Sequence, residues 1–153
     1  MNRFVVFVAV ALAAAVFASS ASAVKPTREP GNFGDAVFSG VCSFDVARHV
    51  VIDRSVITTY SDGTVRITGT FKQTLTNLDT GKTIFVNASG PVIIETHPDG
   101  SSTEIDLGRQ FLRPPGQLLL TSGRVVWEFD AAGNTTSFTQ VGGTSQDVCA
   151  LLA

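Results

Sequence analysis

Residues 64–78, TVRITGTFKQTLTNL, keep one alternating pattern from end to end. Val65, Ile67, Phe71 and Leu75 fall on one face. Arg66, Thr68, Thr70, Lys72, Thr74 and Thr76 fall on the other. Strand side chains change face at every residue, so this pattern is a half-buried β-strand with one wet face. Asp62-Gly63 before it is a tight-hairpin signal, and Leu78-Asp79-Thr80-Gly81-Lys82 after it is a second turn. At about 3.3 Å per residue the run extends roughly 50 Å, too long for one straight strand in a small domain. Gly69, near the middle, is the expected place for a bend or bulge. A long bent strand with partners on both sides belongs to a small barrel or a strongly coiled sandwich.

The flanking sequence has the same character. Residues 36–44 alternate, with Phe38, Gly40, Cys42 and Phe44 on the face expected to be buried. Residues 46–60 are rich in β-branched side chains, which fit a pleated surface, and are interrupted at Asp53-Arg54-Ser55. Downstream, residues 83–88 and 92–96 are strands separated by Gly90-Pro91, and His97-Pro98-Asp99-Gly100 is a turn. Residues 102–107 set Thr103, Ile105 and Leu107 against Glu104 and Asp106, and the carboxylates are assigned to the wet face. Residues 110–116 are the least regular stretch. A strand over 117–121 then bends at Ser122-Gly123, and residues 124–130 turn Val125, Trp127 and Phe129 inward. Residues 135–141 form the last strand, and Gly142-Gly143 leads to a tail with a single helical turn at Cys149.

About eight strands with turns at short intervals predict an all-β fold. The expectation is an antiparallel barrel of about eight strands, with a β-sandwich as the alternative and no substantial helix in the mature chain. Closure removes exposed sheet edges and suits an exported monomer.

The N-terminus is read separately. Met1-Asn2-Arg3 is positive, residues 4–17 are apolar, and Ala21-Ser22-Ala23 is a small-residue cleavage site. These are the three parts of a secretory signal peptide over residues 1–23. The apolar run is shorter than the ~20 residues of a membrane-spanning helix. Residues 24–34, with Pro26, Pro30, Gly31 and Gly34, read as a flexible lead-in, and residues 35–153 as one β-barrel domain. Removing Arg3 takes the formal net charge from −2 to −3, and the charges are dispersed. Nucleic acid and anionic membrane surfaces are therefore poor partners.

Two cysteines, Cys42 and Cys149, flank the domain. In an exported chain an even cysteine count predicts a disulfide, here joining the first strand to the tail. Redox chemistry favours close spacing such as C-x-x-C, which is absent.

No nucleophile elbow, zinc-protease helix, phosphate loop or calcium loop occurs. His49 and His97 are far apart in sequence, and His97 sits in a turn. No catalytic residue, metal ligand or cofactor is assigned. Asn87-Ala88-Ser89 and Asn134-Thr135-Thr136 fit the N-glycosylation pattern, idle in a bacterial chain. Gln73 is the exception on its strand, an amide between Phe71 and Leu75 on the apolar face. A buried amide needs partners, so Gln73 marks a polar network or a cavity wall. Phe71, Gln73, Trp127 and Phe129 are therefore the candidate ligand-pocket residues.

Thr76-Asn77-Leu78-Asp79-Thr80-Gly81-Lys82 followed by Asn87-Ala88-Ser89-Gly90-Pro91 is similar to a pattern in uncharacterised secreted bacterial all-β proteins. Leu119-Leu120-Thr121-Ser122-Gly123-Arg124 and Asp147-Val148-Cys149-Ala150-Leu151-Leu152-Ala153 resemble the same group. The resemblance implies no activity. The expected function is a secreted, non-enzymatic binding or interaction module, with a small apolar ligand as the candidate partner. The alternative is a cofactor-free small-barrel enzyme of cyclase or isomerase type acting on an apolar small molecule.

Overall fold

The computed structural model describes residues 24–153, so the signal peptide read at 1–23 lies outside the described residues. The strands are β1 (Thr27–Pro30), β2 (Ala36–Phe38), β3 (Val46–Thr59), β4 (Val65–Asn77) and β5 (Thr83–Asn87). They continue with β6 (Val92–Thr96), β7 (Ser102–Leu107), β8 (Gln110–Leu112), β9 (Leu119–Phe129) and β10 (Thr135–Asp147). A short helix, α1 (Val148–Leu152), follows. All ten strands pair antiparallel in one sheet with the path β1-β3-β4-β6-β7-β9-β10. β2 adds to β3, β5 to β4 and β8 to β9.

The expected barrel closure is corrected. β1 and β10 end the path without pairing to each other, so the sheet stays open. The two ends differ: β1 is four residues long and ends in Pro30, which has no N–H, whereas β10 is a thirteen-residue edge exposed along most of its length. The strand count also rises from about eight to ten. Thr27–Pro30, read as flexible lead-in, pairs with β3 from Thr27↔Thr59 to Pro30↔Val56. Gln110–Leu112, in the irregular stretch, pairs with β9.

The long pair β3–β4 is the frame, running from Val46↔Asn77 to Thr59↔Val65. It passes straight through Asp53-Arg54-Ser55, which was expected to interrupt it. The bulge lies in β3 rather than at Gly69: the register shifts between Val50 and Ile52, opposite Gln73 and Lys72. Gly69 has another task. Its φ is +130°, and a Cβ there would lie 2.8 Å from Ser55 Cα and closer still to the Arg54 carbonyl. Only glycine lets the two backbones approach this closely with that φ.

Gly69 also sits where β4 changes neighbours. Its first part pairs with β6, from Val65↔Ile94 to Ile67↔Val92. Its last part pairs with β5, from Lys72↔Asn87 to Thr76↔Thr83. β9 forks in the same way, pairing with β8 through Thr121 and with β7 from Arg124 onward. At the fork Gly123 and Gly108 exchange backbone hydrogen bonds of 3.1 and 2.7 Å. Gly123 was expected to bend the chain and Gly142-Gly143 to end the last strand. Instead β9 and β10 run through them, and Gly123 lies directly opposite Gly143.

The forked sheet coils until its arms meet. The rings of Phe38 on β2 and Phe111 on β8 are 5.5 Å apart. One apolar cluster joins Phe38, Val46, Leu75 and Val86 to Leu118, Val148 and Leu152. A second gathers Leu112, Val125 and Trp127, with Phe129 and Phe138 against them. The helix closes the first cluster. Asp147 caps it by accepting from the Cys149 N–H at 2.7 Å, and Asn77 Nδ2 donates to the Leu152 carbonyl at 3.0 Å. Val148 and Leu152 are fully buried.

Cys42 and Cys149 are joined, with their Cα atoms 5.4 Å apart and a sequence separation of 107. Closing a loop of that length restricts the unfolded chain by about 4–5 kcal/mol in the chain-entropy model. Replacing both cysteines by serine is accordingly expected to lower the unfolding free energy by about 2–5 kcal/mol in urea titration. A loss below about 1 kcal/mol would show that apolar burial and the Asn77 contact hold α1 without the bridge.

Candidate ligand cavity

A cavity of about 320 Å³, partly open to solvent, touches both clusters, through Ala88 and Phe111 of the first and Leu112 of the second. β4 contributes Ile67, Phe71 and Gln73, β6 contributes Val92 and Ile94, and β7 contributes Glu104 and Asp106. Gln110, Phe111 and Leu112 of β8 also line it, with Arg48 and Ser55 of β3, Phe33 and the Ala88-Ser89-Gly90 link. Register explains the grouping, because residues directly opposite on neighbouring strands share a face. Ile67 pairs with Val92, Val92 with Asp106, and Asp106 with Val125.

Gln73 is fully buried, and among the described residues no protein group bonds either its Oε1 or its Nε2. Phe71 and Leu75 flank it along β4, and its cross-strand neighbours are Val50 on β3 and Val86 on β5. The sheet therefore offers its side chain no polar partner. A buried amide left unpaired costs about 1–3 kcal/mol, so this residue works against folding.

Glu104 and Asp106 correct the sequence reading, which put them on the wet face. Asp106 is only 2% exposed, and Glu104 is partly buried in the cavity wall. Glu104 lies between Ile94 and Trp127, and Asp106 between Val92 and Val125. With apolar neighbours on both sides, loss of water pushes Glu104 up to about 7, and the charge of Asp106 adds to the rise. Burial likewise pushes Asp106 up to about 6, opposed by the indole N–H of Trp127, which donates to Oδ2 at 2.7 Å.

Of the candidate pocket residues, Phe71 and Gln73 line the cavity. Trp127 and Phe129 stand outside its wall, in the second cluster with their rings stacked 6.1 Å apart. Trp127 meets the wall through its bond to Asp106 and its place opposite Glu104. Arg48 was not singled out in the sequence. Its Nη2 donates to the Gly34 carbonyl at 2.6 Å and its guanidinium lies over Phe38, while burial, then Arg113, lowers its pKa. The histidines are remote: His49 pairs with Asp35 at 2.9 Å on the surface, and His97 bonds Thr103 at 2.9 Å. Among the described residues no three His, Cys, Asp or Glu side chains gather as metal ligands.

The missing signal for the two carboxylates was hairpin register. The turn over 97–100 sets Thr96 against Ser102, and counting back from it places Glu104 beside Ile94 and Asp106 beside Val92. Since Val92 and Ile94 belong to an inward face, so do the acids.

No family model, curated protein or solved structure matches the chain, so its chemistry rests on the cavity itself. That chemistry has a pH signature. Glu104 and Asp106 hold protons in the folded state at values where the unfolded chain has released them. Their contribution to stability is thus complete below their ordinary values and is lost as pH rises through about 6 and 7. Asp62, Asp99 and Asp130 work in the opposite sense, being lowered chiefly by hydrogen bonds from Thr64, Ser101 and Asn134, so stability also declines in stronger acid. Urea unfolding is expected to show greater stability near pH 5 than near pH 8. The Glu104→Gln/Asp106→Asn variant should flatten that difference, and an unchanged slope would place the titration elsewhere.

Proposed function

We propose that this protein is an exported small-molecule-binding module whose guest has an apolar body and a group that hydrogen-bonds Gln73. Gln73 carries the reading. Its amide can donate and accept, it is fully buried, and it forms part of the wall of a cavity. A single water occupies about 10–15 Å³ by the same kind of measure, so the cavity is far larger than one water requires. Its size is that of a small-ligand site, and its walls combine apolar side chains with a few polar groups. Phe71 and Gln73 touch the guest directly, while Trp127 holds Asp106 from behind and Phe129 stacks on Trp127. The disulfide fits an extracellular or other oxidising compartment, in keeping with export directed by residues 1–23. Among the described residues no helix is long and apolar enough to cross a membrane.

Glu104 favours a second reading, a cofactor-free isomerase or cyclase. A carboxyl titrating near 7 in an apolar site is matched to general acid–base work at neutral pH. The two readings differ in the fate of the guest, which a binding module returns unchanged.

Native mass spectrometry of the mature protein from culture medium is expected to show a co-purified small molecule. Gln73→Leu should lose it and, by removing an unpaired amide, stabilise the ligand-free protein by about 1–2 kcal/mol. A Gln73→Leu protein that is destabilised, or that keeps its guest, would show that the amide is an ordinary part of the core.

A further inference from the structure

We propose that the guest of this cavity is an organic cation, an amine whose ammonium group lies against Glu104 and Asp106 while its apolar body runs along β4 toward Gln73. The inference rests on the small-molecule reading above and adds the charge of the guest.

Glu104 and Asp106 alternate on one strand, so both present their carboxyl groups to the same space. Nothing built into the wall compensates them. Their neighbours on β6 are Val92 and Ile94, and on β9 they are Val125 and Trp127. Trp127 gives one neutral N–H to Asp106. Gln110 of β8 is turned to the Gly90 carbonyl, to which its Nε2 donates at 2.8 Å. From β3 the wall receives Ser55 and Arg48.

Arg48 is the one basic side chain in that wall, and it stands at the wrong end. It pairs with Leu75, whereas Asp106 is level with Ile67. These levels are eight residues apart along β4, and among the described residues Arg48 forms no ion pair with either acid. Arg48 accordingly has no part in the titration of either acid. The acids thus face a space that lacks a countercharge at their end and holds an unpartnered amide elsewhere on its wall. An elongated guest with a cationic head for the acids and a hydrogen-bonding group at its far end for Gln73 satisfies both.

A hydrated metal ion fits less well. Calcium takes six to eight oxygen ligands, and the wall beside the two carboxyls is aliphatic and aromatic. A primary ammonium needs only a few acceptors and carries its own apolar tail. Its arrival also favours ionised carboxyls, so binding near neutral pH must expel protons.

Isothermal calorimetry with 4-(4-aminobutyl)phenol, whose hydroxyl can bond Gln73, and its neutral analogue 4-(4-hydroxybutyl)phenol tests the assignment on the mature protein. At pH 8 the amine is expected to bind at least tenfold more tightly than the alcohol. At pH 7, titrations in phosphate and Tris should report proton release for the amine and none for the alcohol. Glu104→Gln should reduce the preference, and Glu104→Gln/Asp106→Asn, which keeps an acceptor for Trp127, should abolish it. Equal affinities, or a preference that survives the double variant, would overturn the cationic guest while leaving a small-molecule site in place. Displacement of the amine by millimolar calcium chloride would assign the acids to a metal. Binding of neither probe would overturn this inference, while the small-molecule reading falls only if native mass spectrometry also finds no guest that Gln73→Leu loses.

Discussion

The structure depends on one ladder, the pairing of β3 with β4 from Val46↔Asn77 to Thr59↔Val65. Strands of thirteen and fourteen residues cannot stay flat in a domain of this size, because sheet twist accumulates along them. The ladder yields at two places. An extra residue in β3 bulges opposite Gln73, and at Gly69 the two backbones close to a distance that no side chain permits. Bending there forces the neighbours of β4 to divide into β5 and β6. The same division recurs at β9, and the cavity lies within the coil so formed. Fold and site are therefore products of a single constraint, the length of one strand pair.

Much of this was legible. Period-two alternation located β4 and its buried face, turn residues located the hairpins, and two cysteines left one intramolecular pairing. What escaped was long-range or ambiguous in kind. Gly123, Gly142 and Gly143 look like punctuation, but in the fold Gly123 and Gly143 mark close backbone approach inside continuous strands and Gly142 lies in a bulge. A glycine in a strand has both meanings, and only its neighbour decides. Thr27–Pro30 has no pattern of its own and becomes a strand because β3 offers an edge. Whether the sheet closes depends on how β1 and β10 meet, and no local signal reports that.

Energetically the domain carries an interior that is only partly a core. Two apolar clusters adjoin a cavity holding an unpaired amide and two acids that burial disfavours. Elements that leave the cavity untouched offset this. The disulfide restricts the unfolded chain, α1 buries Val148 and Leu152, and Asn77 ties the helix to the end of β4. These stabilising contacts concentrate around the first cluster, while Gln73, Glu104 and Asp106 occupy the coil beyond it. Such a division suits a rigid scaffold that holds a poorly satisfied site.

The orientation of β7 makes the same point most directly. Its acids face inward, while Ile105 lies on the outer face between Ile93 and Val126, all three half-buried. A register slip of one residue would turn the whole strand over, placing Ile105 inside and the carboxyls in water. Hydrophobicity and charge both favour that exchange. Two features resist it: the tight turn over 97–100, which sets Thr96 against Ser102, and the indole of Trp127, which bonds Asp106. A strand held in the register that transfer energies oppose is held there by local geometry, and the groups it turns inward are the two acids of the cavity. Where local preference and observed structure part company, function is the usual reason. Among the described strands, β7 shows that conflict most plainly.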